Sequence, residues 1–440
     1  MRPGWLTESP WESVRLERLS TVSTRLPAAL YSNQKTSPCQ TIRKFVSCKR
    51  RSVKALLTAL TSQGKQVVLT RQTSLDSLRE WRKTETFHCP QCKEQVLLKV
   101  GDIIIPHFAH HQQTNCRDSF SEGESPTHLL GKIQLYELFS HLPLQTEMEP
   151  YLPDIQQRPD LLVTWQNQQV PIEFQCSTIP IALILERNAG YHSMNMQPIW
   201  ILLTPPKIQD SSACVLTHRF SQFQQHFIRP IHSSTKETLS ILLTYNPLKQ
   251  QFHYLSHFIH LRGTSFALCH SVMRIKHQTI PFAIPAAPST TDVEGLTRHY
   301  QTARRKYLRS VIGYNQRGIH HRFLRACYEM RVQPIQLPAW IGVPTFGQEA
   351  FSESDCEWQL LLIAAIRQTM RTPFQPDRSL LRTFVKTFEG NSTLQLEACE
   401  HYMDFLREQR IDIYRLDKFI GRDFTLDVLS GRFLAMHARN

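Results

Sequence analysis

Across its 440 residues the chain has no apolar run approaching the ~20 residues a membrane-spanning helix requires. Its longest candidates, Ile179–Leu185 and Ile199–Leu203, are the size of a strand or a short helix. Met1 to Arg15 mixes charges and prolines without an apolar stretch, so no secretory signal is expected. Internal repeats and long low-complexity tracts are also missing. Negative charge is scarce: 37 Asp and Glu face 51 Lys and Arg, a formal net charge of +14. These absences argue against membrane, secreted, solenoid and fibrous proteins and point to a cytoplasmic one. Its eleven cysteines are then expected to be reduced, and a paired Cys motif reads as metal-binding rather than disulfide.

A hydrophobic content of 41% with 20% charged residues is that of an ordinary globular chain, long enough for two or three domains. The basic excess favours polyanionic partners, because Lys and Arg displace counterions from phosphates. Nucleic acid is the first expectation, ahead of a membrane surface or the ribosome.

Residues 1–53, with the cluster Arg43, Lys44, Lys49, Arg50 and Arg51, read as a flexible basic leader. Residues 54–120 read as a β-rich Cys/His domain, with a hairpin of Val96–Val100 and Ile103–Ile105 turning at Gly101 and Asp102. From Ser125, a capping residue before Pro126, apolar positions Leu129, Ile133 and Tyr136 predict a helix to His141. Strands are expected at Asp160–Thr164, Val170–Cys176 and Pro198–Thr204, with a helix from Ile181 to Tyr191 before the last. Residues 121–280 thus form a mixed α/β unit in which 205–280 allow either strand or helix. Residues 281–292 read as a linker, and 293–440 as a mainly helical domain.

Two carboxylates stand out. Asp160 opens one expected strand and Glu173 lies within the next, where Glu173 and Gln175 share a face. If the strands pair as a hairpin, Asp160 and Glu173 converge on a site for a hard divalent cation with oxygen ligands, Mg²⁺ above all. A solvated edge is the plainer reading of the same spacing.

A second constellation is Cys89-Pro-Gln-Cys92, followed across the expected hairpin by His107, His110, His111 and Cys116. Four mixed Cys and His ligands describe a structural zinc site. The preferred set is Cys89, Cys92, His110 and Cys116, with His107 an alternative to either of the last two.

The strings RPDLLVT, VPIEFQCSTIP and LERNAGYHSMNMQPIWILL resemble the central region of the competence protein CoiA family. GESPTHLLGKIQLYELF and FHCPQCKEQVLLKVGDIIIPHFAH fit it too, in the same order. The resemblance implies a PD-(D/E)xK nuclease-like core preceded by a zinc-ribbon-like segment. It makes Asp160 and Glu173 the metal-binding acids, with Mg²⁺ or Mn²⁺ as cofactor, and Glu124 an additional acid. Gln175 stands where the prototype carries Lys, which leaves open whether Lys132 takes over that role or cleavage is weak or absent. His128 lies one turn from Lys132, and Arg187 and Tyr191, four apart on the next helix, are placed near the site, where Arg187 would meet a phosphate.

In the helical region, Arg298, Arg304, Arg305, Lys306, Arg309, Arg317, Arg322 and Arg325 interleave with Tyr300, Tyr307, Tyr314 and Phe323. That mixture suits single-stranded DNA, with phosphates on the cations and bases on the rings. The expected function is therefore a Mg²⁺-dependent, nuclease-like DNA-processing protein that promotes recombination of incoming DNA during transformation. Its alternative is a non-catalytic DNA-binding or RecA-associated accessory. Gln175, hydrogen-bonding but uncharged, is the feature favouring the alternative.

Overall fold

The computed structural model describes residues 55–434, apart from 102–103, 112–115, 117–123, 143, 233–237, 281, 283–284, 314–319, 370–376 and 416–423. The basic leader at 1–53, Tyr314 and Arg317 lie outside the described residues.

Two sheets carry the first half. The smaller comprises β1 (Ala55–Leu56), β2 (Thr58–Thr61), β3 (Gln66–Val68), β4 (Phe87–His88), β5 (Gln95–Lys99) and β6 (His107–His110). Its order is β1-β6-β5-β4-β2-β3, and every pairing is antiparallel. Along β5, Val96 and Leu98 are buried while Gln95, Leu97 and Lys99 are exposed, the alternation of a sheet with one wet face. The expected hairpin keeps its first strand, but the partner of that strand is His107–His110, with 104–105 outside any strand and 102–103 outside the described residues. Phe108 and Ala109 of that partner fill the core, whereas Ile104 stays exposed. Helix α1 (Leu75–Thr84) begins at Ser74, whose side chain accepts the Ser77 N–H.

The larger sheet contains β7 (Gln145–Met148), β8 (Leu161–Trp165), β9 (Gln168–Gln175), β10 (Ile199–Leu203), β11 (Val215–Arg219), β12 (Arg229–His232), β13 (Thr238–Asn246), β14 (Gln251–Arg262) and β15 (Ser265–Arg274). Its order is β11-β15-β14-β13-β10-β9-β8-β7, with β12 on β13. Strands β8 and β9 form a tight hairpin because Gln166 and Asn167 both take positive φ, 48° and 63°. Such turns match the right-handed strand twist. Strand β9 then pairs parallel with β10, which needs a crossover; α3 (Ile181–Ser193) supplies it.

Helix α2 (Pro126–His141) crosses this sheet, capped by Ser125, which accepts the His128 N–H. It approaches β9 closely at Gly131, where a Cβ would stand 2.1 Å from the Phe174 ring. One hydrophobic cluster runs from Ala55 through Phe174 to Phe282 and joins both sheets. Segment 205–280 is mostly strand, with two one-turn helices, α4 (Pro206–Gln209) and α5 (Gln222–Gln225). Strand β14 is buried on both faces, so it lacks the two-residue alternation that marks a strand in sequence.

Phe282 packs against Phe139 and Phe252, anchoring the segment expected as a linker. Helix α6 (Thr290–Gly313) follows and packs on β11, β14 and β15. Helices α7 (Arg322–Glu329), α8 (Asp355–Thr369), α9 (Arg378–Val385) and α10 (Ser392–Glu408) enclose a separate core around Trp340, Trp358 and Tyr402. The last helix, α11 (Phe424–Phe433), packs beside α6. This corrects the expected base-stacking platform. Tyr300 and Tyr307 are buried and donate to Asp355 and Glu357, and Phe323 is fully enclosed. Arg304 is spent on the carbonyls of Leu337, Pro338 and Ile341, and Arg322 on Glu353 and Glu357. Among the described residues, no helix is long and apolar enough to cross a membrane.

Candidate active site

The first two turns of α2, the start of β8, the end of β9 and one face of α3 meet at a single cleft lined by Glu124, His128, Lys132, Asp160, Glu173 and Arg187, among others. Glu124, His128 and Lys132 follow one another at four-residue spacing and therefore share a face of the helix and its lead-in. The pairing Leu161↔Ile172 sets Asp160 beside Glu173, as the hairpin expectation required.

Asp160 accepts the Phe174 N–H at 2.8 Å, and His128 Nε2 lies 3.3 Å from the same oxygen. Burial opposes ionisation of Asp160, but the charges of His128 and Lys132 and these two bonds hold its carboxyl well below the usual carboxylate range. Glu173 behaves oppositely. Burial, reinforced by the Asp160 charge, pushes it up to about 7 against the pull of Arg187. Its Oε1 accepts from both Arg187 Nη2 and the Tyr191 hydroxyl. Arg187 also donates to the Arg158 carbonyl at 3.1 Å and to the Tyr191 oxygen at 3.1 Å, and it lies over the Trp200 ring. Arg187 is thus tied to Glu173 rather than held out toward a phosphate.

Lys132 is 1% exposed. Its Nζ donates to Glu124 Oε1 at 2.5 Å and to Glu149 Oε1, and stands 3.6 Å from Asp160 Oδ1. Burial works against this charge, yet three surrounding carboxylates raise its pKa above the ordinary lysine value. Lys132 is therefore a fixed cation with no proton to exchange near neutral pH. Burial raises Glu124 despite Lys132 and His128. Gln175, at the cleft edge, donates to the Ser177 carbonyl at 2.9 Å and approaches Ser177 Oγ at 3.3 Å. The Cys176 thiol is pushed up by burial, which leaves it unsuited to act as a thiolate.

The donors suit a hard cation. Asp160, Glu173 and Glu124 offer carboxylate oxygens, and Glu124 Oε2 is buried without a hydrogen-bond partner. A second, soft set lies in the smaller sheet. Ligand atoms of Cys89, Cys92, His110 and Cys116 all fall within 4.8 Å of one another, with Cys92 Sγ 3.4 Å from His110 Nε2. Three Cys and one His at these separations fit tetrahedral zinc. His107 is not part of this group: its Nδ1 lies 2.8 Å from the Ile105 carbonyl, so the alternative ligand is set aside.

Two cleft residues carry no sequence signal. Glu149 contacts Lys132 from the end of β7, and Gln91, inside the Cys-x₂-Cys turn, lines the cleft. Both arrive through contacts distant in sequence, which no local spacing reveals.

Comparisons with known proteins agree with this architecture. Residues 124–285 match the family model "Competence protein CoiA, nuclease-like domain", and residues 70–119 match "Competence protein CoiA, N-terminal domain". The chain is 28% identical over 365 residues to Competence protein CoiA of Bacillus subtilis (strain 168), covering 77% of this chain and 92% of that protein. No solved structure matches. Every lining residue of the cleft except Gln91 lies within the first match and the soft ligand set lies within the second, in the order those motifs take along the sequence, and over these segments the chain is similar to the competence protein CoiA family.

Proposed function

We propose that the protein is a Mg²⁺- or Mn²⁺-dependent nuclease that processes DNA during competence, promoting recombination of incoming DNA. The observation that carries this is the convergence of Glu124, Asp160 and Glu173 on one cleft, with a buried lysine paired to Glu124 and Asp160 and an arginine paired to Glu173. Asp160 and Glu173 would hold the cation, with Glu124 assisting. When bound, it would polarise the phosphodiester and lower the pKa of the attacking water.

The chain's own groups have distinct tasks. Asp160 stays ionised, fixed by the Phe174 N–H and His128. Glu173 is pushed up to about 7 in the metal-free cleft, so it must give up its proton to take the cation. Arg187 and Tyr191 orient it. Lys132 supplies positive charge beside the reacting phosphate, the role the prototype gives to a lysine at the position of Gln175. The Cys89, Cys92, His110 and Cys116 set is proposed as structural zinc, compensating for the small core of its sheet. The net charge of +14 supports DNA as the substrate class.

One observation favours a second reading. Gln175 is neutral and bonded to Ser177, so the cleft lacks a lysine at the usual place. In that reading the protein holds DNA for the RecA recombinase and cuts nothing. Incubating the full chain with labelled single- and double-stranded DNA, with and without Mg²⁺ or Mn²⁺, separates the two. Cation-dependent products support the nuclease; salt-sensitive binding with no product overturns it and leaves the accessory role.

A further inference from the structure

Glu149 spans two parts of the molecule. Its Oε2 accepts the N–H of Leu57 at 2.9 Å and of Thr58 at 3.2 Å, where β1 passes into β2 of the smaller sheet. Its Oε1 accepts from Lys132 in the cleft. The Thr58 side chain repeats the connection, its Oγ1 donating to the Met148 carbonyl at 3.1 Å, and the Glu149 N–H ties the residue to the cleft by donating to the Asp160 carbonyl at 3.0 Å. Glu149, Leu57 and Thr58 are all buried. Glu149 also holds φ at +49°, a left-handed conformation that a non-glycine residue keeps only when its surroundings impose it. Gln91, from the same small sheet's Cys-x₂-Cys turn, forms part of the cleft wall.

From this geometry we propose that Glu149 is a positioning residue through which the docked N-terminal sheet sets Lys132. Two backbone amides fix one carboxylate oxygen, and the other fixes the ammonium between Glu124 and Asp160. The inference rests on the nuclease reading of the cleft. Without the Glu149 charge, the Lys132 ammonium is drawn toward the two acids that remain, Glu124 and Asp160, and competes with the cation for Asp160. The N-terminal sheet is then a component of the active site, and a nuclease-like domain lacking it would be assembled with its lysine misplaced.

The test uses the full chain and Glu149→Gln, which keeps an oxygen for the Leu57 and Thr58 amides but loses the charge facing Lys132. Two readouts are taken on folded protein, confirmed by circular dichroism: DNA cleavage kinetics, and acylation of Lys132 by acetic anhydride followed by mass spectrometry. Expected are at least a tenfold fall in kcat with KM for DNA within twofold, and at least a threefold rise in Lys132 acylation, with surface lysines unchanged. A merely structural tie would lower the folded fraction and leave kcat per folded molecule intact; that result overturns the proposal. Should the normal protein give no product with any cation, the nuclease reading fails, and acylation alone decides. A rise at Lys132 then upholds the tie, and no change refutes it.

Discussion

Replacing Lys132 by Met leaves Glu124, Glu149 and Asp160 around an apolar side chain in a buried site. At 3.6 Å and an effective dielectric constant of about 20, the Lys132–Asp160 attraction alone is about 4–5 kcal/mol before desolvation is subtracted. Removing one partner of a buried ion network costs about 3–5 kcal/mol, because the remaining charges are left uncompensated. For a unit of this size, each kcal/mol lowers Tm by roughly 2–4 °C, so a fall of roughly 6–20 °C is expected. The loss has a sign in pH. Burial already raises the Glu124 carboxyl in the folded state, and without the cation the largest charge opposing that shift is gone. Stability is then retained at low pH, where Glu124 is protonated in both states, and lost as pH rises through its raised value. Differential scanning calorimetry of Lys132→Met and the normal chain at pH 5 and pH 8 should show the larger deficit at pH 8. Added Mg²⁺ should narrow it by supplying the missing positive charge. A Tm unchanged from the normal protein at pH 8, or a deficit larger at pH 5, would refute the reasoning.

Three further outcomes follow from the same geometry. Because Glu173 is raised to about 7, the metal-free protein should lose stability as pH climbs from about 4.5 to 7. Over the same interval Mn²⁺ should bind more tightly, a trend that calorimetric titration should find flattened in Glu173→Gln. Gly131→Ala places a methyl against the Phe174 ring, so it should destabilise by about 1–3 kcal/mol in urea unfolding and displace Lys132 and His128 from the cleft. Elemental analysis should find one zinc per chain in the normal protein and less than a fifth of that in Cys92→Ser. The variant should also lose near-ultraviolet signal from the smaller sheet before the α-helical signal.

Much of this site was legible in sequence, for local reasons. Ser125 and Pro126 mark the start of α2, and the acids of a hairpin joined by Gln166 and Asn167 fall side by side once the strands alternate. The tight Cys-x₂-Cys spacing marks the soft ligand set, and the preferred Cys89, Cys92, His110 and Cys116 are the four that come together, with the alternative His107 outside the group. That exclusion depends on Phe108 taking the core face of β6, with His107 turned to a backbone carbonyl. Glu149 was invisible because its partners lie 17 and about 90 residues away in sequence. Arg187 was placed near the cleft, but its commitment to Glu173 is a matter of three dimensions. Strand β14 hid its period by being buried on both faces, and the Tyr and Arg mixture of α6 looked like a binding surface because amphipathic helices and single-strand grooves share that composition.

The central claim is that the acids of the cleft serve a cation in cutting DNA. Single-turnover cleavage of labelled DNA in Mn²⁺ by Asp160→Asn tests it most directly, since the amide keeps an acceptor for the Phe174 N–H while removing the charge. The account predicts at least a hundredfold fall in rate with fold and zinc content retained. Cleavage by Asp160→Asn at the rate of the normal protein would contradict it.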